Sequence, residues 1–296
     1  MLALSIPSPP VSSFQLGPIT IHYYALILLV GMIIAVIITN RRLIARGVPS
    51  GKVIDVAIWA VPIALVGGRF YHVFTHPTDY FAAGDNVWNI FAIWQGGLAI
   101  FGSILFGTVG AWIGCRRAGV RFLTFADALA PGMLLAQAFG RFGNYFNQEL
   151  YGSPTTLPWG LQISTSSPAY PAGLPAGTLF QPLFLYEMIW NIGGALLLIF
   201  VIQRRFDLHR GQAIGFYFLW YGFARTFLEA MRDDPTELWV GLKINEDVAI
   251  LAAVLGLVLI LVTRRREPLD MVDGHAVLEP GSSPAEEARS PREENA

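Results

Sequence analysis

Residues 19–39 read ITIHYYALILLVGMIIAVIIT, an apolar run without Asp, Glu, Lys or Arg. A bilayer core about 30 Å thick needs about 20 such residues in a helix, so this run predicts a transmembrane helix. Six similar stretches follow, near residues 53–73, 88–114, 124–146, 182–203, 212–231 and 246–263. The sequence therefore predicts an all-α polytopic membrane protein with seven transmembrane helices, in one catalytic domain over residues 19–263.

The overall composition agrees with this class. Of the 296 residues, 54% are hydrophobic and 14% are charged, and the mean hydropathy is +0.50. These values exclude an ordinary soluble domain. The net charge of -1 gives no electrostatic basis for binding nucleic acid. The single cysteine, Cys115, excludes an internal disulfide and argues against a zinc cluster.

The distribution of basic residues predicts the orientation of the chain. Lys and Arg follow spans one, three, five and seven, whereas the loops after spans two and four contain neither residue. By the positive-inside rule, the N-terminus (residues 1–18, without the basic start of a cleaved signal peptide) lies outside, and the C-terminus is cytoplasmic. Residues 147–181, rich in Pro, Gly, Ser and Thr, are then a small extracytoplasmic cap. The tail, 264–296, is predicted to be disordered.

One segment places charged and polar side chains inside a predicted membrane span, where such side chains are rare. Residues 140–152, GRFGNYFNQELYG, close the fourth span with Arg141, Asn144, Asn147, Gln148 and Glu149. An arginine at mid-membrane costs roughly 3 kcal/mol on insertion scales unless it is neutralised. On a helix, Arg141, Asn144 and Gln148 share one face. This pattern predicts a site for an anionic ligand.

A second polar stripe lies in the sixth span. Tyr221, Arg225, Glu229 and Arg232 recur at spacings of four, four and three, so they stack on one side of a helix. Arg225 and Glu229 alternatively form an internal salt bridge that only stabilises the bundle. With Arg69, which ends Gly67-Gly68-Arg69, these arginines suit phosphate oxygens because a guanidinium group donates two parallel hydrogen bonds. No cysteine or carboxylate framework surrounds His72 and His76, so no metal site is predicted.

These motifs resemble those of bacterial prolipoprotein diacylglyceryl transferases. The resemblance covers residues 19 to 263 and rests on the 140–152 signature, the LPWG run at 157–160, the run from Tyr221 to Arg232, residues 185–187, residues 67–69 and the region of Tyr24. It implies an enzyme of the bacterial cytoplasmic membrane that needs no cofactor. The enzyme moves the sn-1,2-diacylglyceryl group from phosphatidylglycerol to the lipobox cysteine thiol of a preprolipoprotein. A thioether and glycerol phosphate are the products.

The resemblance also assigns roles to residues. Carried over by position, the essential tyrosine is Tyr24, the signature arginine and asparagine are Arg141 and Asn144, and the closing glycine is Gly152. The arginine of the sixth span and its acidic partner are Arg225 and Glu229. We therefore predict five catalytic residues, Arg141, Arg225, Tyr24, Asn144 and Glu229. The predicted substrate-binding residues are Arg141, Asn144, Asn147, Glu149, Gly152, Tyr221, Arg232 and Arg69.

Two positions depart from the family pattern. Phe101 and Gln181 stand where many members have histidine, so no mechanism that uses either histidine as a base applies here. Several groups remain candidates to accept the proton of the thiol: Glu149, Glu229, the lipid phosphate, or water if a nearby arginine activates the thiol.

An anionic-lipid or phosphate transporter is the main alternative function, although no internal repeat is evident. A retinal photoreceptor requires a lysine that residues 248–263 lack, and a structural subunit does not explain the grouped arginines.

Overall fold

The computed structural model describes residues 5–81, 86–93, 96–206, 208–232, 238–239 and 242–265. These residues belong to two compact units, one drawn from the ranges 1–39 and 126–269 and the other from 40–125. The first contains every predicted site residue except Arg69, and we call it the site unit. We call the second the accessory unit. Most of the predicted disordered tail, 264–296, lies outside the described residues.

Helices dominate both units. In chain order they are α1 (Tyr23–Ile44), α2 (Lys52–Thr75), α3 (Thr78–Phe81), α4 (Ile100–Ala118), α5 (Phe122–Asn147), α6 (Leu183–Leu196), α7 (Gln203–Arg205), α8 (Gln212–Ala230) and α9 (Ile244–Val262). A π-helix, Leu197–Ile202, joins α6 to α7, and 3-10 helices lie at Val87–Phe91 and Thr263–Arg265.

Five stretches in the described part of the chain are long and apolar enough to cross a membrane. They are α1, α2, α5, the continuous run Leu183–Arg205 and Asn245–Val262. A mostly helical chain with several candidate spans is therefore confirmed, but two of the seven predicted spans fall short of this apolarity. These are α4 and α8, helices of 19 residues each. Charge lowers their apolarity, because α4 ends in Arg116 and Arg117 and α8 contains Arg225 and Glu229.

The first predicted span begins later than expected. Residues 19–22, predicted to open it, form strand β2 (Ile19–His22), which pairs antiparallel with β1 (Ser13–Leu16). The turn between the strands contains Gly17 at φ +61°, a conformation that glycine adopts without strain. Helix α1 therefore begins at Tyr23, and the chain is not purely α-helical.

The third predicted span, 88–114, was wrong in its first half. Gly96 and Gly97 have φ values of +86° and +71°, which a right-handed helix does not accommodate. The chain turns there, and α4 begins only at Ile100. Apolarity alone did not reveal this break, because the residues on both sides of it are hydrophobic.

Residues 154–180 contain a small antiparallel sheet. Strand β5 (Leu179–Phe180) lies between β3 (Pro154–Thr155) and β4 (Leu161–Gln162). Leu161, Ile163 and Phe180 are buried together with Phe184 of α6. Ile6 forms a parallel bridge to Leu161. This part of the segment 147–181 therefore has its own hydrophobic core. A separate hairpin, β6 (Leu238–Trp239) with β7 (Leu242–Lys243), precedes α9.

Small residues let the helices of the site unit pack closely. A Cβ added at Gly222 of α8 would lie 2.6 Å from the backbone nitrogen of Ala253 in α9, and one at Gly31 of α1 would lie 2.9 Å from the Cβ of Phe139 in α5. Close backbone approach of this kind is how membrane helices associate without a hydrophobic driving force. A buried cluster joins α5, α6, the π-helix and α8: Ala126, Ala130, Leu134, Ala195, Leu198, Ala213, Ile214 and Tyr217. These contacts fix the helices that carry the predicted site.

A buried carboxylate holds the start of α8. Asp127 of α5 has no exposed surface, and its Oδ2 accepts a hydrogen bond from the Gly211 backbone N–H at 2.6 Å. Its Oδ1 accepts from the Ile214 N–H at 2.9 Å. The first N–H groups of a helix have no partner within the helix, and a negative charge there also complements the helix dipole. Asp127 therefore anchors α8 to α5.

Replacing Asp127 by alanine is expected to lower the free energy of unfolding by about 3 kcal/mol, because two charge-assisted hydrogen bonds are lost and buried amides lose their partner. The shift in the midpoint of thermal unfolding of the purified protein in detergent measures the effect. Asp127→Asn keeps one acceptor oxygen and is the matched control, with a smaller expected loss. An unchanged midpoint for Asp127→Ala would contradict this role.

Candidate functional site

One buried carboxylate bridges arginines from two helices. Nε of Arg141, near the end of α5, pairs with Oε2 of Glu187 in α6. The other oxygen of Glu187, Oε1, accepts a hydrogen bond from Nη1 of Arg225 in α8 at 2.9 Å. Glu187 is only 5% exposed. Three helices therefore meet at this carboxylate.

A second carboxylate extends the network along α8. Glu229 has no exposed surface, and its Oε2 lies 2.5 Å from Nη2 of Arg225 and 3.2 Å from Nη1 of Arg232. Its Oε1 accepts a hydrogen bond from Nδ2 of Asn245 at 2.9 Å. Arg225 and Glu229 lie one turn apart on α8 and form a salt bridge, as their spacing predicts, whereas Arg232 pairs with Glu229 from just beyond the end of α8 at Ala230.

The network carries a surplus of positive charge. Three guanidinium groups, those of Arg141, Arg225 and Arg232, share the two carboxylates of Glu187 and Glu229. These side chains, except Glu229, line a cavity of about 10 Å³. That volume holds about one water molecule. A phosphate group can therefore enter only if side chains of the network move.

The amides predicted at the site hold a third carboxylate. Nδ2 of Asn144 donates to Oε1 of Glu149 at 2.8 Å, and Nδ2 of Asn147 donates to the same oxygen at 3.0 Å. Oδ1 of Asn144 accepts from Nη1 of Arg141 at 3.4 Å. Asn144 therefore connects the arginine network to Glu149.

The chain leaves α5 through a strained turn. Gln148 and Leu150 have φ values of +54° and +55°, which side chains other than glycine rarely adopt. The helix has already ended at Asn147, so Gln148 does not share the face of Arg141, contrary to the prediction. Its Oε1 instead accepts from Ser8 Oγ at 2.8 Å and from the Ser164 N–H at 2.7 Å. Backbone strain of this kind is concentrated at functional sites.

Two tyrosines and a glycine border the network. The ring of Tyr24 in α1 packs on Gly143, where an added Cβ would lie 2.7 Å from Cδ2 of the tyrosine. Tyr24 is close enough to Glu149 and Arg141 for their charges to act on it. Tyr221 lies close to the side chain of Arg141. A Cβ at Gly152 would lie 2.9 Å from the carbonyl oxygen of Met231, so a side chain at this position would push the turn away.

Comparison with known proteins identifies the family of the chain. A family model described as prolipoprotein diacylglyceryl transferase matches residues 11–262. The chain belongs to this family. It is therefore an enzyme that transfers a diacylglyceryl group to prolipoproteins, and a multi-pass protein of the cytoplasmic membrane.

Three relatives illustrate the likeness, each named phosphatidylglycerol–prolipoprotein diacylglyceryl transferase. The protein of Leifsonia xyli is 49% identical over 98% of this chain and 88% of its own length. That of Paenarthrobacter aurescens is 47% identical over 88% of this chain and 84% of its own. That of Bifidobacterium longum is 44% identical over 89% of this chain and 87% of its own.

Arg69 of the transferase has a different environment. It lies in the accessory unit, where its guanidinium group donates to the carbonyl oxygens of Ile90 at 2.8 Å, Gly96 at 2.7 Å and Gly97 at 3.1 Å, and also to that of Asn89. It is 7% exposed. These bonds hold residues 89–90 and 96–97, and they support a role for Arg69 in positioning these residues.

The two positions that depart from the family pattern cannot take up a proton. Oε1 of Gln181 accepts from the Tyr186 hydroxyl at 3.0 Å, and its Nε2 donates to Thr155 Oγ1 at 3.2 Å. Phe101 is a partly buried residue of α4. Among the described residues, no group of three His, Cys, Asp or Glu side chains is placed to hold a metal ion.

Glu187 is the site residue that sequence reasoning did not assign. A carboxylate inside a span needs a cationic partner, and this signal was present in the sequence. Its two partners are 46 residues before it and 38 residues after it in the chain. No helical spacing relates such distant positions.

Proposed function

We propose that this transferase takes the diacylglyceryl group of phosphatidylglycerol and attaches it to the lipobox cysteine of a preprolipoprotein signal peptide. The observation that carries the proposal is the Glu187 carboxylate shared by Arg141 and Arg225. Two guanidinium groups that converge on one anionic group are suited to bind the oxygens of a phosphodiester in its place. The names of the relatives specify the same donor lipid.

Arg141 and Arg225, which we call the clamp, stabilise the transition state more strongly than they stabilise the bound lipid. The thiolate sulfur attacks the glycerol carbon that carries the phosphate, a carbon–sulfur bond forms, and the carbon–oxygen bond to the phosphate breaks. The phosphate thereby changes from about one negative charge toward two. Arg141 and Arg225 bind the developing dianion more strongly than the diester, and this difference accelerates the reaction.

Glu187 is the proton acceptor in this proposal. When the lipid phosphate binds to Arg141 and Arg225, it displaces the carboxylate, because the cavity leaves no room for both. The displaced Glu187 has lost its cations and stands beside an anion, which favours protonation of the carboxylate. It accepts the proton of the cysteine thiol and later passes it to the leaving glycerol phosphate, so charge and atoms balance.

The other residues orient the substrates. Asn144 and Tyr24 contact the glycerol part of the lipid, and Glu229 fixes Arg225 and Arg232 in position. The remaining predicted residues of the site unit shape the binding surface: Asn147, Glu149, Gly152 and Tyr221. Arg69 has no role in the clamp in this proposal, because its guanidinium group already donates to four backbone carbonyl oxygens of the accessory unit.

We further propose that all seven long helices cross the membrane, with the N-terminus outside. The basic residues support this orientation, because they lie in the last turns of α1, α4 and α7 and after the end of α9. The arginine network then faces the extracytoplasmic half, on the same side as the predicted cap at 147–181.

The reaction itself tests the function. The purified full-length protein is incubated with vesicles of phosphatidylglycerol and a lipobox peptide, and released glycerol phosphate is measured. We expect stoichiometric release and a thioether-linked peptide. A peptide with serine in place of cysteine is the matched control and should give neither product. Movement of phosphate or lipid across the vesicle membrane without thioether formation would instead identify the protein as a transporter.

A further inference from the structure

A second and much larger cavity lies at the opposite end of α8. Its volume is about 370 Å³, within the range typical of small-molecule sites. Apolar side chains line most of it, among them Ile202, Phe206, Phe216 and Ile260, and His209 and Arg264 stand at its polar side. Along the axis of α8, Gln212 at this cavity and Arg225 in the arginine network are about 20 Å apart at 1.5 Å per residue. The two sites are therefore separate.

The fold builds this cavity from an interrupted helix. The π-helix Leu197–Ile202 widens the helical turn just before the cavity, and such turns are frequent at functional sites. The segment after α7 is held by Gln212, whose Oε1 accepts from the His209 N–H at 2.8 Å and whose Nε2 donates to the Ile260 carbonyl oxygen at 3.2 Å. The cavity is thus framed by hydrogen bonds between α8, α9 and the segment that joins α7 to α8.

Arg264 lines the cavity, and the segments of sequence that contain the lining residues are rich in arginine. Residues 203–212 contain three arginines and one aspartate, and residues 263–266 contain three further arginines. Arg204, Arg205 and Arg264 are exposed. The positive-inside rule accounts for arginines at this end of the helices, but it does not account for an apolar cavity beneath them. An acyl chain would bury its surface against the apolar walls, and a phosphate group would form ion pairs with the arginines.

We infer that this cavity binds an anionic phospholipid of the leaflet opposite the arginine network. One acyl chain lies between Phe206, Phe216 and Ile260, and the phosphate lies against Arg264 and His209. This lipid is not the donor, because its glycerol carbon is far from the clamp. Only the assignment of this lipid to a particular leaflet depends on the orientation proposed above; the binding itself does not.

Native mass spectrometry of the full-length protein tests the inference. The protein is released from bilayers of phosphatidylcholine containing a minority of phosphatidylserine, and the retained lipids are counted. We expect the wild type and the Arg141→Gln variant to retain one phosphatidylserine. A His209→Gln/Arg264→Gln variant should retain about five-fold less, since removing the charge of one arginine near a lipid surface weakens the attraction by about that factor. Arg204→Gln is the matched control for a lost exposed charge, because the guanidinium group of Arg204 stacks on Phe200 instead of lining the cavity.

Each further outcome is decisive. Equal retention by the double variant and the wild type, or equal retention of phosphatidylcholine, would overturn the inference. Displacement of the lipid by inorganic phosphate alone would identify a site for a free anion and would also overturn it. Unchanged thermal unfolding of the double variant in detergent without added lipid, together with its normal transfer rate, separates lipid binding from misfolding.

Discussion

Replacing Arg141 by alanine is expected to lower the rate of diacylglyceryl transfer about a hundred-fold to a thousand-fold, because one donor aimed at a developing anion contributes about that factor. Arg141→Lys should restore little of the rate, since a lysine ammonium group cannot bind two oxygens in a fixed plane. Transfer of lipid to a lipobox peptide measures both variants. The protein should remain folded, because Glu187 keeps its pairing with Arg225.

The control for this prediction is an arginine of similar type outside the network. Arg117 lies in the last turn of α4, where its guanidinium group lies 5.0 Å from the centre of the Trp59 ring. Arg117→Ala should leave the transfer rate within about two-fold of the wild type, since surface substitutions of this kind have small effects. Near-normal lipidation by Arg141→Ala would refute the phosphate clamp.

Replacing Glu187 by glutamine should separate binding from chemistry. We expect the maximal transfer rate to fall between about a hundred-fold and ten-thousand-fold, the usual contribution of a general base. The affinity for phosphatidylglycerol should not fall, and it should rise if the phosphate no longer displaces a charged carboxylate. The steady-state rate at saturating peptide and the binding of phosphatidylglycerol in the absence of peptide measure the two effects separately.

Glu187→Asp is the conservative partner of this variant. It keeps the charge that neutralises Arg141 and Arg225, so its folding should be preserved and its rate should exceed that of Glu187→Gln. Thermal unfolding of both variants identifies any general loss of structure from unpaired buried arginines. A normal maximal rate for Glu187→Gln would exclude Glu187 as the proton acceptor.

The helical part of the fold was largely readable from the sequence, because apolar length and charge govern which segments can enter a membrane. The errors arose where local backbone chemistry overrides hydropathy. Residues 19–22 are as apolar as a helix start, yet they pair with β1 across the turn at Gly17. Gly96 and Gly97 end the segment before α4 through their positive φ values. Neither the strand pairing nor the break at the two glycines changes the average hydropathy of the surrounding residues.

The site was readable only where its contacts are local. Arg225 and Glu229 are one turn apart on α8, and Arg232 follows three residues after Glu229 just beyond the end of that helix, so both pairings follow from short spacings in the sequence. The bridge from Arg141 to Glu187 joins α5 to α6, and the bonds of Arg69 run to backbone carbonyl groups, which are present at every residue and give no sequence signal. Long-range partners of this kind require the packed helices.

The bridging position of Glu187 also bears on how the reaction ends. Once the lipid has been transferred, glycerol phosphate is bound to Arg141 and Arg225, the two arginines that the Glu187 carboxylate binds in the absence of substrate. Glu187 then competes with the departing molecule for the same guanidinium groups, and as part of the protein it is present at a high effective concentration. Accumulated glycerol phosphate should therefore inhibit the enzyme only weakly, because any small anion that binds again must displace the Glu187 carboxylate from the two arginines.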